Sequence, residues 1–200
     1  MVLLYMPMLS IQEMKEKLRG MISEEKFSHS ISVMNTAREL ARIHGADVRK
    51  AEVAGLLHDC MKGAGNEELL LACERFGIPV SEIERRHPKL LHSVVGSWVA
   101  EERFGVSDQE IKDAIRYHTT GAADMSGLSK VIYVADYIEP ERELGGIDYI
   151  REEAKNDLDA AVLHVLENVI LYVIKKKALI HPDTIHARNE ILMKIKMRRD

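Results

Sequence analysis

Ser10 stands three residues ahead of Glu13, Ser81 ahead of Glu84, and Ser107 ahead of Glu110. Each pair matches the capping box, in which a serine hydroxyl and a glutamate carboxylate satisfy the free N–H groups of a helix start. Ser23, followed by Glu24 and Glu25, opens the run HSISVMNTARELARIHG, and Asp47 opens VRKAEVAGLLHDC. Gly45, Gly77 and Gly105 stand where helices commonly end. Asn66 restarts a helix after the breaks at Gly63 and Gly65. Pro88 suits the first turn ahead of LLHSVVGSWVAEERF, because proline is tolerated there. IKDAIRYH, GLSKVIYVADYIE up to Pro140, a long run from Asp157 to Lys177 and a last helix after Pro182 complete the series. Strand-like alternation is confined to VIYVADYI, whose apolar positions also fit a helix. The expected fold is all-α. An N-terminal arm and helix cover 1–21, one domain covers 22–177, and a helical tail covers 178–200.

Composition narrows the function classes. The chain is 46% hydrophobic, enough for a real core, and its few aromatics lean the fold toward helix. The net charge is −4 and basic runs appear only near the end, as KKK and KMRR. Nucleic acid is therefore not an expected partner. Cys60 and Cys73 form no CxxC pair and read as reduced thiols of a cytoplasmic protein. The start, MVLLYMPMLS, lacks a basic n-region and is too short to span a bilayer, so a packed or frayed arm is expected. The longest apolar stretch, Ala160 to Ile174, is interrupted by His164, Glu167 and Asn168. No membrane association is expected.

The stretch GLLHDCMKG, Gly55 to Gly63, carries the chemistry. His58 and Asp59 close an apolar helical run, and a carboxylate buried there needs a cation or a shifted pKa. His29, His92 and His118 also lie in or at the ends of amphipathic helices, and Asp136 lies within VIYVADYIE. Four histidines and two aspartates turned into one bundle would form a nitrogen and oxygen site suited to Fe, Mn, Co or Zn. The competing reading is a buried hydrogen-bond network. Against it, no Arg or Lys shares the same apolar faces to neutralise both aspartates. His44, His87, His164, His181 and His186 have ordinary readings as dipole, surface or turn residues.

In order, His29, His58-Asp59, His92, His118 and Asp136, with KFSHSISVMNTARELA, LLHDCMKG, LLHSVVGSWVA, AIRYHTTG and YVADYIEPER around them, resemble the HD-domain superfamily of metal-dependent phosphohydrolases in its two-metal form. The strings look like the YqeK-type branch, whose members are symmetrical dinucleoside tetraphosphatases. The resemblance runs from about Phe27 to Asp159. It implies an HD helical bundle with a dinuclear metal site in its core. His29, His58, Asp59 and Asp136 would hold one divalent ion, and Asp59, His92 and His118 the second. Iron is the metal the resemblance favours. Lys62 would face the phosphates, Thr119, Thr120 and Gly121 would lie beside the nucleotide, and Arg142 would contact phosphate or nucleotide. Where the family often has glycine after the third histidine of the set, this chain has Ser93.

The implied reaction is symmetrical cleavage of a small-molecule nucleotide, diadenosine tetraphosphate to two ADP, by a metal-bridging hydroxide. Two metals about 3.5–4 Å apart neutralise phosphate oxygens and lower the pKa of a bridging water. Asp59, with two oxygens, suits bridging, and Lys62 supplies a point cation. Cys60 lies one residue off the metal face and reads as a small apolar residue, not a nucleophile. Alternatives are an HD-type nucleotidase or other nucleotide phosphohydrolase, and a non-catalytic nucleotide sensor. A cyclic-dinucleotide hydrolase would be expected to show a GYP tripeptide after the HD pair, and none is present. Trp98 and the apolar face of the long C-terminal helix leave a homodimer open.

Overall fold

Helix-start chemistry organises the chain. In the computed structural model, which describes residues 7–143 and 145–198, the Ser10 hydroxyl accepts from Glu13 N and opens α1 (Ile11–Arg19). Ser23 caps α2 (Glu24–His44) and Asp47 caps α3 (Val48–Leu57). Next come α4 (Asn66–Phe76) and α5 (Glu82–Arg86), the latter opened by the Ser81–Glu84 box. A short 3-10 turn, Pro88–Leu90, leads into α6 (Leu91–Phe104). Then follow α7 (Gln109–Tyr117), α8 (Gly127–Ile138), α9 (Ile147–Asn156), α10 (Leu158–Lys175) and α11 (Pro182–Met197). No strand occurs among the described residues, so VIYVADYI is helical. The first six residues of the N-terminal arm lie outside the described residues. The arm beyond them is anchored where Leu9 N donates to Phe104 O at 3.1 Å.

Two expectations need correction. Asp108, not Ser107, caps α7, accepting from Glu110 N and Ile111 N at 3.0 and 3.3 Å. Asp108 has the extended backbone of an N-cap, and its carboxylate reaches two free N–H groups at the positive end of the helix. α9 was not expected from the sequence. It buries only Ile147, Ile150 and Ala154, too sparse a stripe to stand out in a charged segment.

α2 packs along α3 and α8, α7 lies against α3, α6 and α8, and α10 backs α8 and α9 with α11 over it. Met14 and Leu18 of α1 and Ala187, Ile191 and Ile195 of α11 enter the same core. The tightest crossing is α2 on α3. A Cβ at Gly55 would lie 2.9 Å from Met34 Cα and 3.3 Å from Ala37 Cβ, so only glycine lets the two backbones approach this closely. This crossing sets the end of α3, and with it His58, against α2. No described helix is long and apolar enough to cross a membrane.

Candidate metal centre

Five helices deliver the buried His and Asp side chains to one point. His29 lies in the second turn of α2, and His58 and Asp59 follow the last turn of α3. His92 starts α6, His118 ends α7, and Asp136 lies in the last turn of α8. Their potential ligand atoms fall into three overlapping groups: His29, His58 and Asp59; His58, His118 and Asp136; and Asp59, His92 and His118. All six residues of the sequence pattern are therefore brought together.

Asp59 is the joint between the groups. Its Oδ1 lies 3.0 Å from His92 Nε2 and 3.2 Å from His118 Nε2. Its Oδ2 lies 3.5 Å from His58 Nε2 and 3.9 Å from His29 Nε2. One carboxylate thus faces two pairs of imidazole nitrogens, one pair per oxygen. Asp136 closes the His58 and His29 pair, with its Oδ1 3.0 Å from His29 Nε2 and 3.7 Å from His58 Nε2.

Backbone carbonyls set the tautomers. Nδ1 of His58 donates to Gly55 O at 2.7 Å, that of His92 to Lys89 O at 2.6 Å, and that of His118 to Ile115 O at 2.7 Å. With the neutral ring's one proton on Nδ1, each Nε2 lone pair points into the centre. His92 Nε2 and His118 Nε2 then face each other at 3.1 Å. Two facing lone pairs repel unless a cation or proton lies with them. Two such nitrogens can both reach one ion at about 2.1 Å, the usual metal–imidazole distance. His58 Nε2 is fully buried and has no hydrogen-bond partner. The residues fit divalent-metal binding on these grounds.

Without a metal, protons must do part of this work. Burial opposes charge on His58, but Asp59 and Asp136 outweigh it and push the imidazole up to about 10. Burial would raise the Asp59 carboxyl too, yet the neighbouring imidazoles hold it well below the usual carboxylate range. Asp136 behaves the same way, held down by His29 and His58. His118 goes the other way: burial drives it down to about 4, and the charge on His58 adds to this. The two ring centroids are 4.9 Å apart, close enough for that charge to act on His118. Cys60 is buried and its thiol is pushed up to about 12, in keeping with an inert apolar role.

A cleft of about 340 Å³ opens onto His29 and Asp59, with Lys26, Lys62 and Arg142 as its basic residues. Lys62 Nζ lies 3.4 Å from Asp59 Oδ1 and Arg142 Nη2 lies 3.4 Å from Asp136 Oδ1, both side chains roughly half exposed. Thr119 Oγ1 sits 3.0 Å from His118 Nε2 and 3.2 Å from His92 Nε2. Thr120 instead lines a smaller cavity beside Arg116, Tyr117 and His181. Gly121, at φ +67°, backs onto Ala187 and Leu166. Lys130, in the first turn of α8, pairs with Asp159 at 2.7 Å and does not line this cleft. Lys26 and Glu139 are additions of the structure. Lys26 sits one helical turn before His29 on the same face, the only sequence signal it gives. Glu139 reads in the sequence as one of three surface glutamates, but it is only 2% exposed and lies beneath His29.

An all-α bundle with this ordered His/Asp set defines a class, and the chain belongs to it: it is a member of the HD-domain family, whose model matches residues 27–141. That span contains all six residues of the cluster. The chain is 41% identical to a symmetrical bis(5'-nucleosyl)-tetraphosphatase of Bacillus subtilis, over 84% of this chain and 89% of that protein. It is 38% identical to a protein of the same name from Halalkalibacterium halodurans, over 88% and 93% of the two chains. A crystal structure of a predicted HD superfamily hydrolase involved in NAD metabolism, from Clostridium acetobutylicum, superposes with a TM-score of 0.91. That chain is 39% identical, and the match covers 94% of this chain and 99% of that one.

Proposed function

We propose that the protein cleaves dinucleoside tetraphosphates symmetrically, diadenosine tetraphosphate to two ADP, at a dinuclear metal centre. His29, His58, Asp59 and Asp136 would hold one ion, and Asp59, His92 and His118 the other. The observation that carries this reading is the divided carboxylate of Asp59, one oxygen toward His92 and His118 and the other toward His58 and His29. The relatives named as symmetrical tetraphosphatases support the substrate. Iron is the metal favoured by the family resemblance, and the nitrogen and oxygen donors also accept Mn, Co or Zn.

When bound, two such ions neutralise phosphate oxygens and acidify a water that serves as nucleophile. The chain's own residues orient the rest. Lys62 and Arg142 stand at the mouth beside Asp59 and Asp136, where their free N–H groups meet the phosphates of an incoming polyphosphate. Thr119 presents a hydroxyl between His92 and His118 for the same purpose. One water is consumed, the central P–O–P bridge breaks, and ADP leaves. A nucleoside diphosphate is a good leaving group, so a strong general acid is not required. The free, buried Cys60 and Cys73 accord with a cytoplasmic site of action. Leu171, Tyr172 and Ile174, exposed on α10, are the face a second copy would cover in a homodimer.

Two expected outcomes follow from these placements. Lys62→Ala keeps both metals and lowers kcat/KM about 100-fold, the scale of losing one cation on a reacting phosphate. Metal analysis beside the assay checks this, and loss of metal in the variant would move Lys62 into the coordination shell. Loading with Mn²⁺ at pH 8 releases the proton that His58 otherwise holds up to about pH 10. Calorimetric heats then differ between buffers of different ionisation enthalpy; equal heats would mean that His58 is already neutral.

The deciding experiment uses protein purified without oxygen and loaded with ferrous iron. It is incubated with diadenosine tetraphosphate and the products are separated by ion exchange. Two ADP are expected. AMP plus ATP would overturn the cleavage position, and no turnover would overturn the substrate. Parallel incubation with NAD tests the second reading raised by the Clostridium relative's name.

A further inference from the structure

Three of the four histidines in the cluster take their Nδ1 acceptor from a backbone carbonyl three residues back. His29 does not. It sits inside α2, where the carbonyls behind it are spent on helix hydrogen bonds. Its Nδ1 lies instead 3.4 Å from Glu139 Oε1, a carboxylate 110 residues away in sequence. The other oxygen of Glu139 is held firmly: it accepts from Ser32 Oγ at 2.7 Å and from Glu141 N at 2.9 Å. Arg142 Nε lies 3.7 Å from the oxygen that faces His29. A buried carboxylate with this many donors is built in, not incidental.

We infer that Glu139 is a positioning residue that joins the two halves of the catalytic apparatus, orienting His29 toward its metal and the Glu141–Arg142 turn toward the phosphates. This rests on the dinuclear reading given above. A carboxylate on the Nδ1 proton fixes the tautomer, aims Nε2 at the ion and makes the imidazole a stronger donor. The same carboxylate, through Glu141 N, fixes the turn from which Arg142 projects. Arg151 braces that turn from outside, donating to the carbonyls of Ile138 at 2.9 Å, Glu139 at 2.9 Å and Arg142 at 3.0 Å. Metal affinity at His29 and phosphate affinity at Arg142 are thereby set by one side chain. Arg142→Ala removes the phosphate contact and leaves the Glu139 carboxylate in place on His29.

The test compares the parent chain, Glu139→Gln, Ser32→Ala and Arg142→Ala by Mn²⁺ titration, using calorimetry and electron paramagnetic resonance on metal-stripped protein. Glu139→Gln keeps the shape and removes the charge. Its expected result is one Mn²⁺ weakened by about 10- to 100-fold, the range for losing a partner of a metal-bound histidine, with the other unchanged. Its KM for diadenosine tetraphosphate rises as it does in Arg142→Ala, where loss of a cation beside Asp136 and Glu139 leaves Mn²⁺ bound no more weakly than in the parent. Ser32→Ala, which alters no charge, shows the same one-site weakening to a smaller degree, and it carries the test should Glu139→Gln fail to fold. Parent-like binding of both ions in Glu139→Gln, or in Ser32→Ala if that variant alone folds, overturns the inference and leaves the dinuclear reading standing. A parent chain that binds fewer than two ions overturns both.

Discussion

Asp59→Ala is expected to leave a folded protein that retains neither metal and hydrolyses diadenosine tetraphosphate more than about 100-fold more slowly. Losing a mere partner of a metal-bound histidine costs up to about 100-fold. Asp59 stands closer, within 3.0 to 3.9 Å of Nε2 of all four histidines in the cluster. Among the described residues, no other carboxylate lies within 4.0 Å of imidazole nitrogens of both pairs; Asp136 does so only for His29 and His58. Removing Asp59 leaves His92 and His118 with lone pairs 3.1 Å apart and no anion to hold a cation between them. The proton that Asp59 helps to hold on His58 is then held less firmly, with Asp136 still beside it, so no unpaired charge is left buried. Metal analysis after gel filtration, with the product assay beside it, checks both halves. A fully active Asp59→Ala protein would end the two-metal account.

Gly55→Val is expected to cost about 3 kcal/mol or more, the upper range for overpacking. A glycine within a helix is normally a weakness, and replacing it gains about 0.5–1 kcal/mol of helix propensity. Valine gains little of this, and its Cβ would begin 2.9 Å from Met34 Cα. Backbone cannot rotate out of the way as a side chain can, so α2 and α3 must part. The carbonyl of Gly55 also holds His58, so activity falls with stability. For a chain of this size the melting temperature should drop by roughly 6–12 °C, at about 2–4 °C per kcal/mol. Gly63→Ala is the control, because a Cβ there meets only Lys26 Nζ at 3.9 Å. A stabilised Gly55→Val protein would show that the crossing is not close-packed.

Helix starts and ends were legible because they depend on groups a few residues apart. Ser10 reaches Glu13 and Gly45 turns left-handed directly after α2, and no tertiary contact is needed for either. Where two adjacent candidates compete, as at Ser107 and Asp108, the hydrogen bonds of the folded helix decide. The ordered His and Asp pattern was legible as a set because each member sits on an apolar face that can only turn inward. Lys26 and Glu139 were not. In IEPERE, Glu139, Glu141 and Glu143 are chemically identical, and nothing local separates a buried carboxylate from a solvated one.

The amino-acid sequence therefore determined by itself that the chain is a series of capped helices with buried imidazoles and carboxylates in want of a cation. Only the tertiary structure decided which partners meet: Asp59 between two histidine pairs, and Glu139 beneath His29. The reason is distance. Caps act over three or four residues along one helix, whereas His29 and Glu139 are 110 residues apart and meet only where α2 crosses the end of α8.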